Sequence, residues 1–430
     1  MSTLSQELSE EGLLQARQFL RSLQTRVVAE AGASQTAPTT SVLDATLARL
    51  KLRGNFEPTD DPTRVLRGGI DFDLMLESER ITRAEEIIRR VDPGPCEDPV
   101  YLEMLAYQAA SIELGLPTDA RGQRVNPGWS KFLLGTIHST ELNAFAHRFN
   151  SHGYVVVALF SALIEFVYQA AKALVAAQHP VRAADPRFSV STDSNPEHVA
   201  ARLYLNQEPI ERLYRTLEAY FYRGYPRAYW NESVPAELVL PLTHLIGMAE
   251  RWIVAHEYGH GFAVGCDWNR GLVKNPKRAE ECFADDNATI LCAWSAEKLD
   301  SLPPYYALIG GTFALACLDV FERGLSIVRH GTEHVGMGDD AHPANKDRAL
   351  NIFDFYNTTF GVQSYLHPPE VTRPAALAPD DDRIAAEAAI AEGRRLVFEY
   401  PNALFKIWVH VRERLLQDFK AKRALHSMWS

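Results

Sequence analysis

The stretch LTHLIGMAERWIVAHEYGHGFAV, Leu242 to Val264, decides how this chain reads. Its apolar residues lie nearly all round a 3.6-residue period, which predicts a buried helix closed by Gly265 as a left-handed cap. Inside it stands His256-Glu257-Tyr258-Gly259-His260. Two imidazoles four residues apart share one helix face and can grip a single ion. Two nitrogens at that spacing suit tetrahedral Zn²⁺, with Zn–N near ~2 Å. Glu257 falls beside the open coordination position, where it can take a proton from bound water and pass it to a leaving amine. Trp252, Ile253, Val254 and Ala255 precede the motif, and Phe262, Ala263 and Val264 follow it. Two His and a Glu in so apolar a helix need partners, and a metal supplies them.

A zinc site of this kind needs a third ligand. A metzincin continuation requires Gly at 263 and His at 266, but the chain has Ala263 and Cys266. Downstream comes Glu280-Glu281-Cys282-Phe283-Ala284-Asp285. Glu281 is the expected ligand, ahead of Cys282. Asp285, one helical turn on, can accept the N–H of a zinc-bound His and fix its tautomer. The bland alternative is an acidic solvated helix face, since Glu280 and Asp286 also stand there, but Cys282, Phe283, Ala284 and Ala288 make this helix largely apolar.

These motifs resemble the gluzincin metallopeptidases. More narrowly they are similar to the CAAX prenyl proteases and their heat-shock membrane-protease and soluble relatives. The likeness rests on His256–His260, on Glu281–Asp285, and on His342-Pro343 with Arg348 beyond. Asn143-Ala144-Phe145-Ala146, followed by Gly153-Tyr154-Val155-Val156-Val157, is a weaker match. The resemblance implies zinc on His256, His260 and Glu281, with Glu257 as general base and Asp285 orienting His256. It implies His342 near the metal as oxyanion stabiliser or conditional ligand, and Arg348 in a structural ion pair beneath the site. It also implies that the strand Tyr154, Val155, Val156, Val157 pairs with an extended substrate through main-chain hydrogen bonds.

Outward from the motif the chain reads as mostly helix. The expected fold is mainly α with a small β-sheet, a zincin-like catalytic domain wrapped by extra helices. Residues 1–130 form a helical N-terminal region. Residues 131–360 form the metallopeptidase domain, interrupted by a helical, aromatic-rich insertion at about 179–247. Residues 361–430 form a proline-rich connector and a pair of C-terminal helices. The insertion crowds Tyr214, Tyr220, Phe221, Tyr222, Tyr225, Tyr229 and Trp230 together. Packing of an added layer is the favoured reading, ahead of an aromatic cleft wall.

Composition bounds the rest. With 430 residues, 46% hydrophobic and 23% charged, the chain is long enough for two or three globular domains. Lys plus Arg number 44 against 55 Asp plus Glu, for a net charge of −11, so no nucleic-acid partner is expected. Five Cys with no CxxC pair suggest a reducing compartment, hence the cytoplasm. The strongest apolar runs, Gly153–Ile164 and Tyr305–Leu318, are too short to cross ~30 Å of hydrocarbon, so no integral membrane segment is expected. The functional expectation is a zinc-dependent endopeptidase that hydrolyses a protein or peptide substrate. The extra helices suggest restraint by a regulatory partner or ligand. The alternative is a sensor that keeps the zinc-site fold with latent or no general proteolysis.

Overall fold

Tyr154–Phe160 (YVVVALF) lies at the centre of the only three-stranded sheet among the described residues. The computed structural model describes residues 10–30, 41–54, 70–94, 96–117, 131–139, 141–149, 153–178, 180–181, 191–223, 238–263, 275–299, 305–334, 343–359 and 379–429. This strand, β3, pairs in parallel with β1 (Phe132–Ile137) and antiparallel with β2 (Ala144–Phe149). Every residue of β1 and β3 is buried. Such strands read as continuous apolar runs rather than alternating ones. β2 is only partly buried and forms one edge of the sheet.

Four described helices precede the sheet: α1 (Glu10–Glu30), α2 (Val42–Gly54), α3 (Ile70–Val91) and α4 (Pro99–Gly115). Ser41 opens α2 by accepting from the Asp44 N–H at 3.1 Å, and Asp98 opens α4 by accepting from Val100 at 2.8 Å. Satisfying these first N–H groups is why such residues start helices. After the sheet come α5 (Ser161–Ala176), a two-stranded pairing of β4 (Pro180–Val181) with β5 (Ser191–Thr192), then α6 (Pro196–Leu205) and α7 (Glu208–Glu218). A π-helical turn at Ala219–Arg223 follows. The helices α8 (Val239–Phe262), α9 (Pro276–Leu299), α10 (Tyr306–His330), α11 (Asn345–Thr359) and α12 (Pro379–Trp429) complete the described elements. None of the described helices is long and apolar enough to cross a membrane. The architecture is mainly helical with a small mixed sheet, as the sequence pattern predicts.

One apolar core runs from Ala16 to Leu415, so the N-terminal helices, the sheet and the C-terminal helix share it. The C-terminal pair expected from the sequence is a single helix, with Pro401 inside it. A proline removes one backbone donor, and here the packing overrides that loss. Leu404, Ile407, Trp408, Val411 and Leu415 form a buried stripe at helical spacing. The insertion lies beside this helix. Lys406 Nζ reaches Glu197 at 2.8 Å, Ser194 Oγ donates to Glu399 at 2.6 Å, and the Arg414 guanidinium sits 3.8 Å from the Tyr214 ring centre. Tyr220 is buried and donates its O–H to the Ala162 carbonyl at 2.7 Å, while Phe221 packs on Phe321 at 5.1 Å. These aromatics therefore form a packing layer. Tyr225, Tyr229 and Trp230 lie outside the described residues.

Glu97 ties α1 to β1. Its carboxyl accepts from the Thr136 N–H at 2.6 Å and from Gln24 Nε2 at 2.5 Å, all out of water. Burial pushes this carboxyl up to about 7, although those hydrogen bonds pull the other way. A raised folded-state value makes the native protein hold its proton more tightly than the unfolded chain does. The stabilisation is complete below the unfolded value and is lost as pH rises toward and through about 7. Denaturant titrations from pH 4.5 to 8 should show the unchanged chain losing up to about 3 kcal/mol relative to Glu97→Gln. Parallel profiles would contradict this.

Candidate metal centre

The five residues of the motif face different neighbours. His256 and His260 sit one turn apart on α8, with their Nε2 atoms 3.1 Å from each other. Tyr258 points the opposite way, fully buried, its ring stacked on Phe132 at 4.3 Å. Gly259 meets α9: a Cβ there would stand 2.6 Å from Ala284 Cα and 2.9 Å from Ala284 O. Only a residue without a side chain lets the two helices approach this closely.

That approach delivers α9's carboxylates. Glu281 Oε1 lies 3.3 Å from His260 Nε2, and its Oε2 lies 3.6 Å from His256 Nε2. The ligand atoms of His256, His260 and Glu281 all fall within 4.8 Å of one another, a group that could hold a metal ion. Cys282, on the same helix, is not in this group. Asp285 Oδ1 stands 2.9 Å from His256 Nδ1, on the ring edge away from Glu281. Arg348, from α11, grips Asp285 with both arms of its fork, Nε to Oδ2 at 2.9 Å and Nη2 to Oδ1 at 2.7 Å. Trp252, one turn before His256, stacks on its ring at 5.4 Å.

The charges are strongly coupled. Burial opposes ionisation of Asp285, but Arg348 outweighs it and holds that carboxyl below its ordinary value. Burial also opposes a proton on His256, yet Asp285 and Glu281 raise it to about 9. Glu281 is held well below the carboxylate range by the two imidazoles despite its own burial. The negative charge of Asp285 and Glu281 beside His256 also favours a bound cation. Glu257 behaves differently. Burial raises its carboxyl against the pull of both imidazoles. Its Oε2 is buried with no hydrogen-bond partner among the described residues. Two imidazole nitrogens facing each other, an ionised carboxylate and an orphaned carboxylate oxygen together fit a metal ion with a polar molecule beside it.

These groups open into a cavity of about 650 Å³. One wall is the Asn143–Ala146 segment leading into β2, and Ala314, Leu318 and Glu322 of α10 also line it. No family model, curated protein or solved structure matches this chain.

The geometry corrects one expectation. Tyr154, Val155, Val156 and Val157 belong to β3, which is hydrogen-bonded on both sides, by β1 and by β2. Its main-chain groups are taken up, so it cannot add a substrate strand. The cavity is bordered instead by β2, on the sheet edge. His342 lies outside the described residues, whereas Pro343 lines the cavity. Arg348 and Asp285 pair beneath His256. Glu280, to which the sequence reading assigns no role, also reaches the centre: its Oε1 is 3.2 Å from His260 Nδ1. Nothing in the local sequence distinguishes it from Asp286.

Arg348 and Asp285 are almost wholly buried. Arg348→Ala leaves a carboxylate without its countercharge and should cost about 3–5 kcal/mol. Adding Asp285→Asn should recover part of that loss. Thermal or urea unfolding of the two variants checks it, and an additive double variant would refute the pairing.

Proposed function

We propose that this chain is a zinc-dependent endopeptidase acting on a protein or peptide substrate. The observation that carries the reading is the pairing of a His256–His260–Glu281 cluster with the unpartnered, buried Glu257 oxygen in one cavity. The His-His-Glu donor set, with a further carboxylate beside it, suits zinc better than magnesium or calcium, which favour oxygen ligands alone. Bound there, zinc supplies Lewis acidity and brings the pKa of water toward ~7.

The chain's own residues supply the rest. Glu257, raised by burial, is suited to accept a proton from water and return it to a leaving amine near neutral pH. Asp285, fixed by Arg348, holds the His256 ring with Nε2 toward the cavity. The β2 edge can align an extended peptide by main-chain hydrogen bonds, the role expected of β3 from the sequence. The apolar wall of Phe145, Leu163, Ile253 and Leu318 excludes water from the peptide.

The likeness of these motifs to the gluzincin peptidases supports the same reading, as does the ion pair at Arg348. We place the protein in the cytoplasm on its cysteine chemistry: Cys96, Cys282, Cys292 and Cys317 are all free thiols. The helical layers outside the sheet are where a regulatory partner or ligand would act.

Glu257→Gln tests the reaction. The variant should retain zinc in full and lose at least about 100-fold in cleavage of an unfolded protein substrate. Chelation should abolish cleavage by the unchanged chain, and added zinc should restore it. Undiminished cleavage by Glu257→Gln would refute the assignment.

A further inference from the structure

His256 has Asp285 and Arg348 behind it. His260 has a carboxylate–guanidinium pair of its own, built from other parts of the chain. Glu280 Oε1 lies 3.2 Å from His260 Nδ1, the ring nitrogen turned away from Glu281. Arg148 Nη2 stands 3.0 Å from that same Glu280 oxygen. Arg148 also donates to the main-chain carbonyl of His260. That carbonyl lies in the last turn of α8, where helix carbonyls run out of internal donors and a cation is favoured. Arg148 is a residue of β2, the strand bordering the cavity.

We infer that Arg148 and Glu280 are positioning residues that fix the tautomer and orientation of His260 and join the cleft-edge strand to the metal centre. Glu280 accepts the Nδ1 proton, which leaves Nε2 as the lone-pair nitrogen facing His256 and Glu281. Arg148 orients Glu280 and at the same time closes the end of the helix that carries both imidazoles. The two ligand histidines are therefore braced separately, His256 from α11 and His260 from β2. An extended peptide laid along β2 would bear on the strand that holds Arg148. The inference rests on the metal reading of the site and deepens it.

The test uses the full chain and reads metal binding, so it is decided whether or not the chain cleaves any protein. Zinc affinity is measured by competition with a chromophoric chelator. The visible spectrum of the cobalt-loaded chain reports the ligand field. Glu280→Met keeps the side-chain length and removes the acceptor. It should weaken zinc about tenfold. That is the low end of such effects, because the Glu280 side chain is 36% exposed. It should also shift the cobalt bands while leaving the melting temperature of the metal-free chain unchanged. Glu280→Gln, whose amide oxygen can still accept from Nδ1, should restore most of the affinity and the original spectrum. A merely structural role would move the melting temperature and not the spectrum. Zinc affinity within twofold of the unchanged chain, with an unshifted cobalt spectrum, overturns the inference. If Glu280→Met does not fold, Arg148→Met decides, with weaker zinc binding expected and retained affinity overturning. An unchanged chain that binds no zinc fails the metal reading itself, and this inference with it. Zinc bound without proteolysis leaves the inference standing and fails only the peptidase assignment.

Discussion

Two helices supply the three candidate ligands, and they touch where Gly259 of α8 meets the backbone of Ala284 on α9. The contact sets the reach of Glu281, which must lie beside imidazoles of the other helix. A single methyl at 259 would force the helices apart, because the atoms it meets are main chain and cannot swing aside. The positions of Asp285 and Glu280 follow from the same contact, since both ride on α9. Arg348 from α11 and Arg148 from β2 then reach carboxylates whose places are already fixed. The sheet contributes from below: Tyr258 stacks on Phe132 of β1, and Gly261 leaves room for the same ring.

The centre concentrates charge inside an otherwise apolar molecule. Glu257, Glu281 and Asp285 meet Arg348 and two imidazoles with little solvent between them. Such a group is stable only if each charge has a counterpart. Asp285 is matched by Arg348, and Glu281 by the imidazoles. Glu257 is left with a raised carboxyl and an oxygen without a partner among the described residues. The unevenness is informative. The matched groups are those that would position or hold an ion, and the unmatched one is the group that would carry a proton.

Much of this was legible in the sequence because it depends on short-range helical spacing. His256 with His260, and Glu281 with Asp285, are one-turn pairs, so one face of each helix could be read directly. Caps such as Ser41 and Asp98 are local too. What could not be read depends on contacts between distant segments. Phe132–Ile137 carries no turn or alternation signal that separates a buried strand from a helix fragment. β3 was found as a strand, but its central place depends on β1 and β2 pairing from both sides. That pairing is why the edge role passes to β2. Glu280 carries no signal of its own because its partner, Arg148, lies 132 residues earlier in the chain. The C-terminal helix runs through Pro401 because the stripe from Leu404 to Leu415 packs as one surface, and packing overrides local propensity.

The proposed function stands on His256, His260 and Glu281 holding one metal ion between α8 and α9. Metal analysis of the purified full-length protein tests it most directly, by elemental mass spectrometry after exhaustive dialysis against trace chelator. One zinc per chain is expected, and none in His260→Ala of unchanged secondary structure. A folded, unchanged chain that carries no stoichiometric metal and takes up none from micromolar zinc would contradict it.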